Sequence, residues 1–450
     1  MRFFFLGIGG IGMSALARFL VKEGNEVSGY DRDKTELTKK LEAEGIGIQY
    51  EFDHNELTDP IDIVVYTPAI KEDQKEFRYF KNLKLPMKKR SELLMEVLSE
   101  KKVIAIAGTH GKTSTSAILA HILHSNNIPI TAFIGGVMNN YNSNFIHGSG
   151  EWVIIEADEF DRSFHRLFPS IALIQAMDAD HLDIYGTEFE MIEAYRQFTR
   201  QIDDQGHLFV QEETACERIK DDWNTELSDK SISLMYFGSH SLIQNDLELN
   251  WIDGKTEFNI SKSGDRCSLA MPGVHNVKNA LGAVEIARLF EIEEEFIAKS
   301  ISSFTGIQRR FEYKYQSDSL TVIDDYAHHP KEVEAAIMAT RALFPERQLT
   351  VIFQPHLYTR TRDFMIEFAE ALHGADEVIL TELYPAREHK IEGVNSQALL
   401  ELIDGTVKHY VKKSDLTRFL SNKYRPLILN LGAGDVYKHL DEIIGELKQK

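Results

Sequence analysis

Cysteine is nearly absent. The 450-residue chain has two, Cys216 and Cys267, too few for a disulfide framework and without metal-binding spacing. They read as reduced thiols of a cytosolic protein. Long hydrophobic runs are missing too. The longest, such as 3–8, fall far short of the roughly 20 residues of a membrane span. The N-terminus has one Arg and then runs into glycines, without the apolar core and cleavage site of a secretory leader, so none is expected. Basic residues are the minority, 50 against 70 acidic, for a net charge of −20. That balance excludes a general nucleic-acid binder, which needs a basic face. It leaves anionic small ligands open, because a glycine loop can hold phosphate by itself. There is no Pro/Ser-rich linker, low-complexity tract or short-period repeat.

What is present is an ordinary globular composition, 43% hydrophobic. Three blocks each restart an alternation of strands and helices, the grammar of parallel α/β sheets. The first, 1–98, runs strand 2–6, glycine turn, helix 10–23, strand 26–30, helix 34–44 and strand 62–66. The second, 99–308, opens on strand 103–107, a glycine turn and a helix to about 124, with strands at 152–156 and 171–175. Its stretch 232–271 alternates polar and apolar residues between turn signals and predicts antiparallel hairpins on one edge. Helices after Pro272-Gly273 and at 293–303 close it. The third block, 309–450, has strand candidates at 320–323, 349–353, 377–380, 407–411 and 427–431. The fold class is α/β in three domains: an N-terminal Rossmann-like domain, a central phosphate-loop domain with an antiparallel edge, and a C-terminal Rossmann-like domain.

Gly7-Ile-Gly9-Gly10-Ile11-Gly12 follows a strand and opens a helix, and Asp31 ends the next strand. Such glycines let a backbone approach a diphosphate at a helix N-terminus, and the acid can take a ribose hydroxyl. The motif does not name the nucleotide; NAD is its common reading, and a tight turn without ligand is the bland one. More specific is Gly108-Thr109-His110-Gly111-Lys112-Thr113-Ser114, between a strand and a helix. Its backbone N–H groups cradle phosphates, Lys112 reaches β/γ oxygens and the Thr113 hydroxyl can ligate Mg²⁺. The usual pattern has glycine at 106; Ile106 stands there, so this is a shortened variant. Glu156-Ala-Asp158-Glu159-Phe-Asp161 ends a buried strand beside this loop, a setting for Mg²⁺ or a solvated acidic turn. Asp178-Ala-Asp180-His181-Leu-Asp183 follows the next strand, and His181 can ligate metal or orient a nucleophile. Asn276 and Asn279 begin a helix, as caps or contacts. Arg309-Arg310 is a surface pair or a phosphate clamp. Asp324-Asp325-Tyr-Ala-His328-His329 and Gln354-Pro-His356-Leu-Tyr-Thr-Arg360-Thr-Arg362 follow strands, where open α/β sheets bind ligands. Converging His and Arg suit a carboxylate or phosphate.

Together these motifs resemble the Mur ligases, ATP-dependent amino-acid-adding enzymes of bacterial cell-wall synthesis. The resemblance runs through FFLGIGGIGMSALA, GTHGKT, EADEFDRSF, DADHLDIYG, PGVHNVKNALGA, RRFE, DDYAHHP, FQPHLYTRTRD and LGAGD. It implies a UDP-sugar, not NAD, on Gly9, Gly10, Ile11, Gly12 and Asp31 in 1–98. It implies ATP on Gly108–Ser114, with Lys112 on the γ-phosphate, in 99–308. Thr113, Glu156 and His181 would hold magnesium, and Lys112, Glu156 and His181 would carry catalysis. Asn279, Arg310 and Asp325 would contact ATP, and His328, His356 and Arg360 the incoming alanine or the lactyl carboxylate, in the amino-acid and ATP domain 309–450. The substrates would be UDP-N-acetylmuramate and L-alanine, in a cytoplasmic monomer or homodimer without nucleic-acid partners. Two departures stand out. Leu357 follows Gln-Pro-His where the family commonly has Arg. Tyr195-Arg196 stands where several sister ligases carry a carbamylated lysine, so no carbamate is expected. The intact DADHLDIYG and QPH…RTRD favour the alanine-adding branch over the one that reattaches recycled tripeptide. An NAD(P) oxidoreductase would leave Gly108–Ser114 unexplained, and an ATP-gated switch would not need the His and Arg sets.

Overall fold

A computed structural model describes the chain except residues 58, 68, 161, 181, 215–218, 220, 239–249, 253, 261–263, 387 and 449–450, and the side chains of 182, 183, 221, 222, 251 and 252. Asp161, His181 and Cys216 therefore lie outside the described residues. The chain divides into two compact units, Met1–Ser241 with Gly282–Ser300, and Leu242–Leu281 with Ile301–Lys450.

The first unit holds two sheets. One is all parallel, in the order Gly47–Gln49, Glu26–Tyr30, Arg2–Leu6, Ile63–Tyr66, Met87–Lys89. Connections leave Arg2–Leu6 toward both sides, so a crevice opens at its C-terminal end, where the glycine turn lies. Phe3, Phe4, Phe5 and Leu6 are all buried, as befits a strand covered on both faces.

The other sheet has seven strands: Ser233–Phe237, His207–Gln211, Pro169–Ile174, Lys102–Ala107, Trp152–Glu156, Thr131–Met138 and Ser143–Ile146. Only the last pair is antiparallel. The glycine loop again leaves a central strand, Lys102–Ala107, and its helix is Lys112–Ser125. The two sheets share one apolar core, in which Phe19 of helix Ile11–Lys22 packs on Phe133 and Phe145.

In the second unit, Asn250–Ile252, Lys255–Asn259 and Arg266–Leu269 form a separate antiparallel sheet. The hairpin expectation for 232–271 holds for these strands. It fails for Ser233–Phe237, which pairs in parallel with His207–Gln211. Alternation along one edge strand does not tell parallel from antiparallel pairing, because the side-chain period is two in both. The unit's main sheet runs Glu312–Gln316, Thr321–Asp325, Leu427–Leu431, Leu349–Phe353, Glu377–Leu380, Val407–Tyr410, parallel apart from its first pair. Among the described residues, no helix is long and apolar enough to cross a membrane.

Candidate active site

Two glycines permit the phosphate loop. Gly111 takes φ +81° at the N-terminus of helix Lys112–Ser125. Gly108, at φ +133°, passes so close to the next strand's end that a Cβ would sit 2.9 Å from the Ala176 nitrogen. Thr109 ties the loop down: its N–H donates to the Ala176 carbonyl at 3.0 Å, and its hydroxyl accepts from Asp178 N–H at 3.1 Å. His110 Nε2 lies 3.5 Å from Asp178. Ser114 is buried in the first turn of the helix.

Glu156 ends its strand directly beside the loop. Its carboxylate accepts from the Thr113 hydroxyl at 3.0 Å, the Ser116 hydroxyl at 3.3 Å and Gly135 N–H at 2.5 Å. Thr113 and Glu156 are thus a pair of hard oxygen donors held together, the kind magnesium takes while keeping several waters. The structure fits the cation at these two residues.

Lys112 points back into the loop. Its ammonium donates to the Gly108 carbonyl at 2.6 Å and to both Glu159 oxygens at 2.9 and 2.7 Å. Burial by itself would lower its pKa, but Glu159, Asp158 and Glu156 outweigh this and hold it above the ordinary lysine value. Glu159 is itself buried, with 1% exposure, and the Tyr185 hydroxyl donates to its backbone carbonyl at 2.6 Å. Sequence reasoning placed Glu159 in the acidic run without a role. It missed Ser116 and Gly135, which no motif marks. Tyr195 is fully buried, and Arg196 pairs with Glu226 at 2.7 Å.

At the first glycine turn, Gly7 takes φ +81°, and Gly10, Ile11 and Gly12 lead into the helix. Asp31 is turned on this loop: one oxygen accepts from Gly9 N–H at 2.8 Å, the other from Asp33 N–H at 3.0 Å. It acts here as a brace for the turn. Arg90, which starts helix Arg90–Val97, lies across Gly12, with Nη1 3.0 Å from where a Cβ would stand. This cation at the crevice was not singled out from sequence, because a single Arg among basic neighbours carries no spacing signal.

In the second unit, Asn279 is buried on helix Val274–Arg288, and its amide donates to Asn276 Oδ1 at 3.3 Å. Asn276 donates to the Pro272 carbonyl at 2.8 Å. Arg309 pairs with Asp324 at 3.3 Å and lies over the rings of Tyr326 and Tyr437. Arg310 lies 5.2 Å from the Tyr326 ring centroid. Asp325 accepts from Phe311 N–H and Ala327 N–H, both at 2.7 Å. Burial pushes its carboxyl up to about 6, against the pull of Arg310 and these two bonds.

His328 and His356 are neighbours, with ring centroids 6.1 Å apart. His328 Nδ1 lies 2.9 Å from the Tyr326 carbonyl, and His356 stacks on Tyr384 at 5.7 Å. Arg360 is buried on helix Tyr358–Asp363. Leu357, at the departure from the family's Arg, is buried and takes φ +70°. Its N–H donates to the Tyr384 carbonyl at 3.0 Å.

Three family models match the chain: "Mur ligase family, catalytic domain" over 2–102, "Mur ligase middle domain" over 106–287, and "Mur ligase, glutamate ligase domain" over 309–434. A UDP-N-acetylmuramate–L-alanine ligase from Flavobacterium johnsoniae is 42% identical over 96% of this chain and 95% of its own. Among solved structures, a UDP-N-acetylmuramate–alanine ligase from Thermotoga maritima superposes with a TM-score of 0.80 at 27% identity, covering 100% of this chain and 99% of its own. A murein peptide ligase from Psychrobacter arcticus shares the fold, with a TM-score of 0.70 at 22% identity over 100% of this chain and 99% of its own. Matched by family models along most of its length, and carrying the phosphate loop and acidic strand end just described, the chain belongs to the Mur ligase family.

Proposed function

We propose that the chain joins L-alanine to the lactyl carboxylate of UDP-N-acetylmuramate, with ATP converted to ADP and phosphate, in the cytoplasm. The observation that carries this reading is Lys112 and Thr113 on one phosphate loop with Glu156 held against it, in a chain 42% identical over nearly its whole length to a relative named for that activity. A carboxylate is a poor acyl donor because its leaving group is oxide. Phosphorylation replaces oxide with phosphate, so the route runs through an acyl phosphate. Lys112 takes charge from the γ-phosphoryl group. Thr113 and Glu156, with His181, would hold magnesium, which supplies further charge neutralisation there.

The remaining assignments follow the same reading. Block 1–98 takes the UDP part: the loop Gly9, Gly10, Ile11 and Gly12 meets the diphosphate, Arg90 adds a cation, and Asp31, while bracing the turn, keeps acceptor capacity for the sugar nucleotide. Block 99–308 takes ATP on 108–114. Block 309–450 supplies Arg310 and Asp325, beside Asn279, toward the nucleotide. His328, His356 and Arg360 serve the alanine or the lactyl carboxylate. With Leu357 buried, Arg360 is the basic residue left to that helix's buried side.

The test is phosphate release with UDP-N-acetylmuramate and ATP, comparing L-Ala, L-Ser, Gly and recycled tripeptide. L-Ala turns over fastest on this reading. Turnover with tripeptide alone moves the chain to the recycling branch. Labelling the lactyl carboxylate with heavy oxygen should deliver one labelled oxygen to the released phosphate; unlabelled phosphate overturns the acyl-phosphate route.

A further inference from the structure

The phosphate-loop lysine is already engaged in this structure. Lys112 gives its ammonium to both oxygens of Glu159, at 2.9 and 2.7 Å, and to the Gly108 carbonyl. Glu159 is 1% exposed and the Lys112 side chain 16%, so the pair is charge-assisted and screened from water. The carboxylate is also anchored through its own backbone, whose carbonyl accepts from Tyr185. A γ-phosphate needs the same ammonium. A lysine has three donors, and here they already serve Gly108 and Glu159.

We infer that Glu159 is a positioning residue that holds Lys112 in the loop until nucleotide arrives, and that ATP binds by displacing Glu159 from the lysine. The inference rests on the phosphate-loop reading above. Two physical consequences follow. The loop keeps its lysine turned inward until nucleotide binds, at the cost of nucleotide affinity. When Lys112 turns to phosphate, the Glu159 carboxylate is left anionic and facing the incoming phosphates, and this repulsion opposes binding further. Neutralising Glu159 removes both penalties. A neutral amide lacks the Coulombic attraction that a carboxylate has for an ammonium, so Glu159→Gln should bind nucleotide about tenfold tighter, the worth of roughly one hydrogen bond to a charged group.

The experiment is calorimetric titration of the full chain with a non-hydrolysable ATP analogue in EDTA, so that metal does not enter. Parent, Glu159→Gln and Lys112→Ala are compared, with melting temperatures alongside. The expected result is a roughly tenfold lower Kd for Glu159→Gln and a much weakened Lys112→Ala. Unchanged or weaker binding by Glu159→Gln overturns the inference, because a merely structural Glu159 would lower melting temperature without tightening nucleotide. If Lys112→Ala binds like the parent, the phosphate-loop reading itself is wrong. Glu159→Asp keeps the charge but draws it back by one methylene. It should shift Kd in the same direction by less, and it serves as the test if the Gln variant does not fold. A steady-state readout separates the roles again: Glu159→Gln should lower KM for ATP and not raise kcat.

Discussion

Replacing Gly135 by Ala tests the metal-side geometry without touching a ligand. A Cβ at 135 would stand 2.7 Å from both oxygens of Glu156, inside the 3.0 Å that real Cβ contacts respect. The carboxylate then has to retreat by roughly 0.7 Å to reach ordinary van der Waals contact. It is held by three donors, Thr113, Ser116 and Gly135 N–H. The Ser116 bond is already 3.3 Å, and bonds stretched past about 3.5 Å are effectively lost. The retreat therefore reshapes the set of three, and the Ser116 bond has the least room to stretch. Disturbing the setting of a metal ligand typically costs 10- to 100-fold in metal affinity or activity. Gly135→Ala should raise the Mg²⁺ concentration for half-maximal phosphate release by about that factor. Gly135 itself lies outside the core, so unfolding free energy should change by no more than about 1 kcal/mol. The assay is phosphate release across a Mg²⁺ titration at saturating substrates, with thermal melting in parallel. A Mg²⁺ curve identical to the parent's would refute the placement of Glu156 as ligand, and so would lost stability with unaltered Mg²⁺ dependence.

Lys112→Ala should abolish turnover, since it removes the loop's cation, while UDP binding measured by calorimetry on the full chain stays intact. Asp325 makes stability pH-dependent. Its folded-state pKa of about 6 lies above the ordinary 3.8, so between these values the folded state binds more protons. Its contribution therefore falls as pH rises from about 4 to 6, by at most about 3 kcal/mol. Urea unfolding of parent and Asp325→Asn across pH 4–7 should show the parent losing ground over that window; a constant difference would contradict it. Asn144→Ala removes a buried acceptor from Arg18 and a donor to the Ile11 carbonyl. It should destabilise by about 1–3 kcal/mol, measured by urea unfolding, and weaken UDP binding, because Ile11 begins the glycine-loop helix.

Much of the fold was legible in the sequence because buried parallel strands announce themselves. Strands 2–6, 152–156, 349–353 and 427–431 are short apolar runs, and each ends in a motif that the family resemblance also marks. Lys112, Thr113 and Glu156 stood out in the sequence because phosphate chemistry calls for a glycine loop, a cation and an acid at strand ends, and those demands leave a local trace. What tertiary structure decided is everything that depends on which strand lies beside which. Gly47–Gln49 and Met87–Lys89, at three residues each, are too short to show a period and exist because a neighbour's edge offers hydrogen bonds. Ser233–Phe237 is parallel because His207–Gln211 is its partner, a fact absent from its own pattern. Gly135 meets Glu156 from a neighbouring strand in the sheet, and Asp31 turns its carboxylate on the Gly9 and Asp33 N–H groups. Glu159 shows the division most clearly. Its charge and its place in an acidic run are local properties. That it lies buried against Lys112 follows from strands Lys102–Ala107 and Trp152–Glu156 being neighbours in the sheet, which brings the turn after one against the loop after the other. Residue chemistry is written locally, but partnership is set by the packing of elements distant in the chain.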